Sequence, residues 1–178
     1  MTIVRVLVIS ASRLGSTRQI ARRIADRLAA AGIDTTTMDA GTADDDVGLP
    51  AYDAYVIGSA VYGGHWVASA MDVVRHHRQQ LVGRPIWLFS SGPVGETAVR
   101  HEAVEPKDVA EIWTSLRPRD HRTFAGALDR SKVEASSLDR VERFVARRFV
   151  PEGDYREWEA IDRWADAIAH ELATVAPL

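Results

Sequence analysis

From Thr2 to Ile9 the chain runs Thr-Ile-Val-Arg-Val-Leu-Val-Ile, nearly continuous in apolar and β-branched residues. Such a run predicts a strand buried on both faces, as in a parallel sheet. A serine-rich stretch with Gly15 follows. Then Ile20, Ala21, Ile24, Ala25, Leu28 and Ala29 recur at helical spacing, with Arg22, Arg23, Asp26 and Arg27 between them. Gly32 is placed to cap that helix at its C-terminus. Residues 33–38 form a second, weaker strand pattern, and 39–50, with Asp44-Asp45-Asp46 and Pro50, read as a polar surface loop with room for one helical turn. A third strand is expected over 54–58 and a helix over 66–81, with Val67, Ala70, Met71, Val74 and Leu81 inward and Gly83 as its stop. Pro85 to Phe89 predicts a fourth strand, leaving through Ser90-Ser91-Gly92-Pro93.

The pattern is less regular over 94–119, where Val109, Ile112, Trp113 and Leu116 predict a short helix after Glu105-Pro106. Residues 121–128 predict a fifth strand, weakened by Gly126. Leu138, Val141, Val145 and Phe149 then mark a helix, and Pro151-Glu152-Gly153 breaks the chain. Asp154 is expected to cap a last helix carrying Trp158, Ile161, Trp164, Ala165, Ile168 and Leu172. Strands alternating with helices imply an α/β fold: a five-stranded parallel sheet covered by helices on both faces. The loop at 39–50 stands where a helix between the second and third strands belongs.

Bulk properties narrow the possibilities. A length of 178 residues suits one domain, 1–178. Hydrophobic residues at 46%, charged residues at 26% and a net charge of −3 describe an ordinary globular chain with no global pull toward nucleic acid. There are no cysteines, which excludes disulfides, thiolate metal sites and a cysteine nucleophile. No run of 18 apolar residues offers a membrane span, and residues 1–5 lack the features of a signal peptide, so a cytoplasmic location is expected.

In a doubly wound sheet, ligands bind outside the carboxyl ends of the strands. The first exit loop carries Ser10, Ser12, Arg13, Leu14, Gly15, Ser16 and Thr17. Four hydroxyls and a glycine at the start of a helix, whose free amides bear partial positive charge, suit a phosphate. One hydroxyl would be enough for capping alone. Neither Gly-Lys-Ser/Thr nor Gly-x-Gly-x-x-Gly is present, so this is not a nucleoside-triphosphate loop or a dinucleotide fingerprint. Asp39, past the second strand, keeps a ribose-binding alternative open. The second loop, Ser59, Ala60, Val61, Tyr62, Gly63 and Gly64, sets an adaptable backbone beside an aromatic ring, as a planar ligand requires. The third, Ser90, Ser91, Gly92, Pro93 and Gly95, is small enough to enclose the ligand's other side. His76 and His77, on the helix of 66–81, are expected to pack rather than bind metal, and no other metal-ligand spacing is present. No catalytic side chain is singled out.

At these loops the sequence resembles the flavodoxin superfamily, whose phosphate loop Ser/Thr-x-Thr-Gly-x-Thr is approximated by Ser12-Arg13-Leu14-Gly15-Ser16-Thr17, with Leu14 replacing the second threonine. Within it, the chain resembles the branch of the menaquinone-dependent protoporphyrinogen dehydrogenases. The likeness continues through Arg18-Gln19-Ile20-Ala21, Tyr52-Asp53-Ala54, Gly58-Ser59-Ala60, Gly64-His65, Phe124 to Leu128 and Asp154 to Trp158. The resemblance implies a flavodoxin-like doubly wound sheet of order 2-1-3-4-5. It also implies FMN as cofactor, with the phosphate on residues 10–17 and the ring between 59–65 and 90–95. Its redox chemistry would oxidise protoporphyrinogen or a related substrate with a quinone acceptor. A flavodoxin-type electron carrier serving protein partners is the alternative, and a module without cofactor a third. Residues 117–148 hold nine Arg or Lys against five Asp or Glu. Arg140, Arg143, Arg147 and Arg148 beside Val141, Phe144 and Val145 allow peripheral contact with the inner membrane face and its quinone, against the plainer reading of a solvated helix packed on the sheet.

Overall fold

The structure, a computed structural model, describes residues 3–42, 49, 51–92, 105–134, 139–148 and 150–175. Strand β1 (Arg5–Ala11) is buried from its second residue onward. Leu7, Ile9 and Ala11 point into one hydrophobic layer, Val6 and Val8 into the other, which is why the run has no polar alternation. Helix α1 (Ser16–Ala30) lays Ile20, Ile24 and Leu28 on the sheet. It ends as its sequence requires: Gly32 takes φ +85°, its N–H donates to Ala29 O, and the Ile33 N–H reaches back to Leu28 O.

Next come β2 (Asp34–Asp39), a 3₁₀ turn at Ala40–Thr42, and β3 (Ala54–Tyr62). Strand β3 runs four residues beyond the expected end because it folds back on β4 (His65–Trp66). Gly63 and Gly64, at φ +58° and +81°, supply the two positive dihedrals a two-residue hairpin turn needs. The helix expected over 66–81 is divided into α2 (Ala68–His76) and α3 (Arg78–Leu81). Between Val74 and Leu81 there is no apolar side chain, and His77 turns inward instead, 3% exposed. Strand β5 (Ile86–Ser91) and helix α4 (Lys107–Leu116) follow.

The fifth strand differs from the expectation. Strand β6 (Asp120–Phe124) stops at the sheet edge, and Ala127–Leu128 (β7) leaves it to pair antiparallel with Gly153–Asp154 (β8). Helices α5 (Arg130–Glu134) and α6 (Arg140–Arg148) lie between those strands, and α7 (Trp158–Val175) closes the described chain. Asp154 does not cap α7. Its carboxylate accepts the N–H and guanidinium of Arg156 instead. On α6 Val141, expected inward, is 71% exposed, and Phe144 is 61% exposed while Ala146 is buried; Leu138 and Phe149 and the Val145 side chain lie outside what is described.

The main sheet has the order β2-β1-β3-β5-β6 with every pair parallel, a flavodoxin-like 2-1-3-4-5 arrangement when the hairpin strand β4 is set aside. On one face α1 and α7 pack Ile20, Ile24 and Leu28 with Ile161, Ala165 and Ile168. On the other, α2, α3 and α4 bring Met71, Val74, Leu81 and Ile112. Each fully buried Leu or Ile stabilises the fold by about 1.5–3 kcal/mol.

Candidate functional site

The first exit loop turns on Gly15, φ +89°, whose N–H donates to Ser12 Oγ at 2.9 Å. The first i→i−4 bond of α1 runs from Gln19 N–H to Gly15 O. The amides of Ser16, Thr17 and Arg18 therefore precede the helical ladder, and the helix end carries partial positive charge. Thr17 is 1% exposed, and its Oγ1 is buried without any hydrogen-bond partner. A buried hydroxyl left unpaired is costly and calls for an explanation.

Thr17 lines a cavity of about 430 Å³, within the range of small-molecule sites. Ser12, Leu14 and Ser16 line it beside Thr17. Ala60, Val61, Tyr62 and Gly63 come from the second loop, Ser91 and Gly92 from the third. No carboxylate is among the described lining residues. Three loops separate in sequence thus meet at the carboxyl ends of β1, β3 and β5.

Other expected residues have different work. Ser10 is buried within β1, in register with Gly58 and Asp39. Ser59 Oγ donates to Ala60 O and accepts the Val67 N–H. Ser90 Oγ accepts the Trp66 indole N–H at 2.9 Å and lies 2.9 Å from His121 Nε2. These two buried serines anchor the hairpin rather than line the cavity. Gly64 lies in the hairpin turn, and its carbonyl accepts the Lys107 N–H. The Arg13 guanidinium sits 5.0 Å from the Tyr62 ring centroid, in an adjoining groove with His65 and Asp108. Pro93 and Gly95 lie outside the described residues. Asp39, the ribose alternative, is held by Arg18 at 2.6 Å and by the Gly41 N–H.

Sequence reasoning missed the roof. Gly126, Ala127, Leu128, Val141, Ala146 and Val150 also line the cavity. Leu128, Val133 and Ala146 form a small apolar cluster that Leu14, Tyr62 and Val150 join. The roof is tied to the first loop where Ala127 N–H donates to Ser16 Oγ at 3.1 Å. One signal was available: Ala125 to Leu128 leave the fifth strand at the same carboxyl edge as the other loops.

Behind the hairpin, His121 Nδ1 lies 3.3 Å from Glu105. Burial holds its imidazole below the ordinary histidine range, although Glu105 and Asp120 pull upward. Among the described residues no group of three His, Asp or Glu converges as a metal set, and no helix is long and apolar enough to cross a membrane.

A family model described as a flavodoxin domain matches residues 7–144, well over half of the chain. The chain belongs to the flavodoxin-domain family. Among curated proteins no sequence matches it. Solved structures agree on the fold of this flavodoxin-domain chain. A flavodoxin from the domain Archaea superposes with TM-score 0.62 at 14% identity, over 96% of this chain and 99% of that one. The Streptococcus pneumonia TIGR4 flavodoxin gives 0.56 at 17%, over 94% and 99%. The rubredoxin oxygen:oxidoreductase of the anaerobe Desulfovibrio gigas gives 0.62 at 15%, over 97% of this chain but only 37% of that chain. This flavodoxin-like chain therefore spans little more than a third of that oxidoreductase.

Proposed function

We propose that the chain binds FMN in this cavity and works as an FMN-dependent oxidoreductase on a small redox-active molecule. The carrying observation is that Thr17, whose Oγ1 is buried without a partner at the free amides of α1, lines a cavity of ligand size. Ser12, Ser16 and Thr17 with the first amides of α1 would hold the phosphate; Ala60 to Gly63 and Ser91-Gly92 would hold the ring. FMN, when bound, supplies one- and two-electron chemistry. The chain's own part is to hold it, exclude water with the Leu128, Ala146 and Val150 roof, and set the polarity at its edge.

The electron-carrier reading is consistent with the same family and fold. The roof favours the oxidoreductase reading, because apolar side chains over the cavity suit a small apolar substrate better than a protein's acidic docking face. A porphyrinogen with a quinone acceptor, as the resemblance implies, is the substrate pair to test first. Peripheral membrane contact through α6 belongs to the same proposal, resting on Val141 and Phe144 exposed among arginines.

The purified protein is expected to be yellow and to release one FMN per chain on denaturation. A colourless protein that takes up no added FMN would overturn the proposal. Anaerobic mixing with protoporphyrinogen and a menaquinone analogue should develop porphyrin fluorescence. Its absence, with ready reduction by a ferredoxin-type reductase, would favour the carrier.

A further inference from the structure

At the opposite end of the sheet, where β5 and β6 begin, a second cleft of about 580 Å³ opens between the ends of α3 and α4. Arg78, Arg84, Arg117 and Arg119 line it, and among the described residues no carboxylate does. Arg119 is paired with Glu171 and lies over the Trp87 ring. The other three guanidiniums have no ion-pair partner among the described residues. Cationic side chains near a helix C-terminus often cap its last carbonyls. Here the amides of Val82, Arg84 and Arg117 already occupy the carbonyls of Arg78, Leu81 and Trp113. Among the described residues none of the Arg78, Arg84 and Arg117 guanidiniums donates to a helix carbonyl, so side-chain capping does not account for the cluster.

The backbone adds an independent observation. Arg117 sits just past α4 at φ +49°, ψ +60° and is the non-glycine residue with positive φ among those described. Glycine adopts that conformation freely, whereas a β-carbon there is penalised. Backbone geometry alone favours glycine. A guanidinium stands at the mouth of the cleft instead, with two more of the same sign lining it, an arrangement that an anion would complement.

We propose that this cleft is a binding site for a small polyanion, an oligophosphate or a polycarboxylate, gripped by Arg78, Arg84 and Arg117. Pro85 lines this cleft and Ser91 lines the cavity above. The length of β5 therefore separates the two sites, roughly 20 Å at ~3.3 Å per residue. The site is distinct from the flavin cavity and does not depend on it.

Calorimetric titration of the full chain with inorganic pyrophosphate and, separately, with citrate at low salt is expected to show saturable binding of one anion per chain. The tighter of the two identifies the ligand class. Arg117→Gly should weaken binding at least tenfold while the melting temperature stays level or rises, since the strained dihedral is relieved. Arg84→Gln should weaken it similarly. Arg22→Gln removes the same charge from the outer face of α1 and should change affinity less than twofold. No saturable binding, equal binding by Arg117→Gly, or an equal loss in Arg22→Gln would overturn the site.

Discussion

Thr17→Val tests the flavin cavity with two readouts of opposite sign. Valine keeps the shape of threonine, so no cavity opens and no atom is crowded. In cofactor-free protein the Thr17 hydroxyl is buried with nothing to bond. An unsatisfied buried donor costs about 1–3 kcal/mol. Removing it should stabilise that state by about 1 kcal/mol, or about 2–4 °C in Tm for a domain of this size. In the FMN complex the same hydroxyl donates to a charged phosphate, a bond of about 1.5–3 kcal/mol, so FMN should bind about 10- to 100-fold more weakly. Thermal melts of stripped protein give the first number and quenching of FMN fluorescence on titration gives the second. Thr17→Ser, which keeps the hydroxyl, should stay within a few-fold of the unchanged protein. Unchanged affinity in Thr17→Val, or a loss of stability without cofactor, would refute the reasoning: it would mean the hydroxyl serves the fold rather than a ligand.

Gly58→Ala should destabilise the central sheet by about 1–3 kcal/mol, read as a lower urea midpoint, because overpacking a fixed core is costly. Its β-carbon would fall 2.0 Å from the Phe89 ring, which is itself wedged against Phe124 and Trp164; a change within 0.5 kcal/mol (roughly the noise of a surface substitution) would contradict that packing. His121 should make stability acid-sensitive. Burial depresses its pKa in the folded state, so the unfolded chain takes up the proton first. The full contribution is present above about pH 6.5, the unfolded value, and is lost as pH falls from there through the folded value. His121→Gln should flatten Tm against pH in that window, and parallel curves for the two proteins would count against the buried, neutral imidazole.

The parallel sheet was legible because its strands are buried on both faces. Leu7 and Ile9 enter one layer, Val6 and Val8 the other, and the resulting apolar run needs no knowledge of partners. The turn at the start of α1, where the proposal places a phosphate, was legible for a similar reason. Ser12, Gly15, Ser16 and Thr17 act within one turn of each other, through local backbone geometry. For Ser59 and Ser90 the sequence does not separate a hydroxyl that lines the cavity from one that accepts an N–H of the hairpin eight or more residues away. Only the placement of Trp66 and Val67 decides which. The 121–128 run misled for another reason. Its alternation is compatible with one strand, but Ala127 is drawn off the edge by Ser16, 111 positions earlier, and paired with Asp154. No local pattern announces that His77 is the residue that fills the gap between Val74 and Leu81.

The two ends of the cavity therefore carry different kinds of constraint. At the start of α1, helix, turn and hydroxyl belong to eight consecutive residues, so the geometry survives changes elsewhere as long as β1 and α1 pack. At the roof, Leu14, Tyr62, Leu128, Val133, Ala146 and Val150 come from four separate stretches and meet through side-chain packing, with Ser16 to Ala127 as a polar tie between roof and loop. Packing of this kind tolerates apolar replacement of similar volume. If the cavity holds FMN as proposed, substitution in the roof would change what the flavin meets while the loop below it keeps the cofactor.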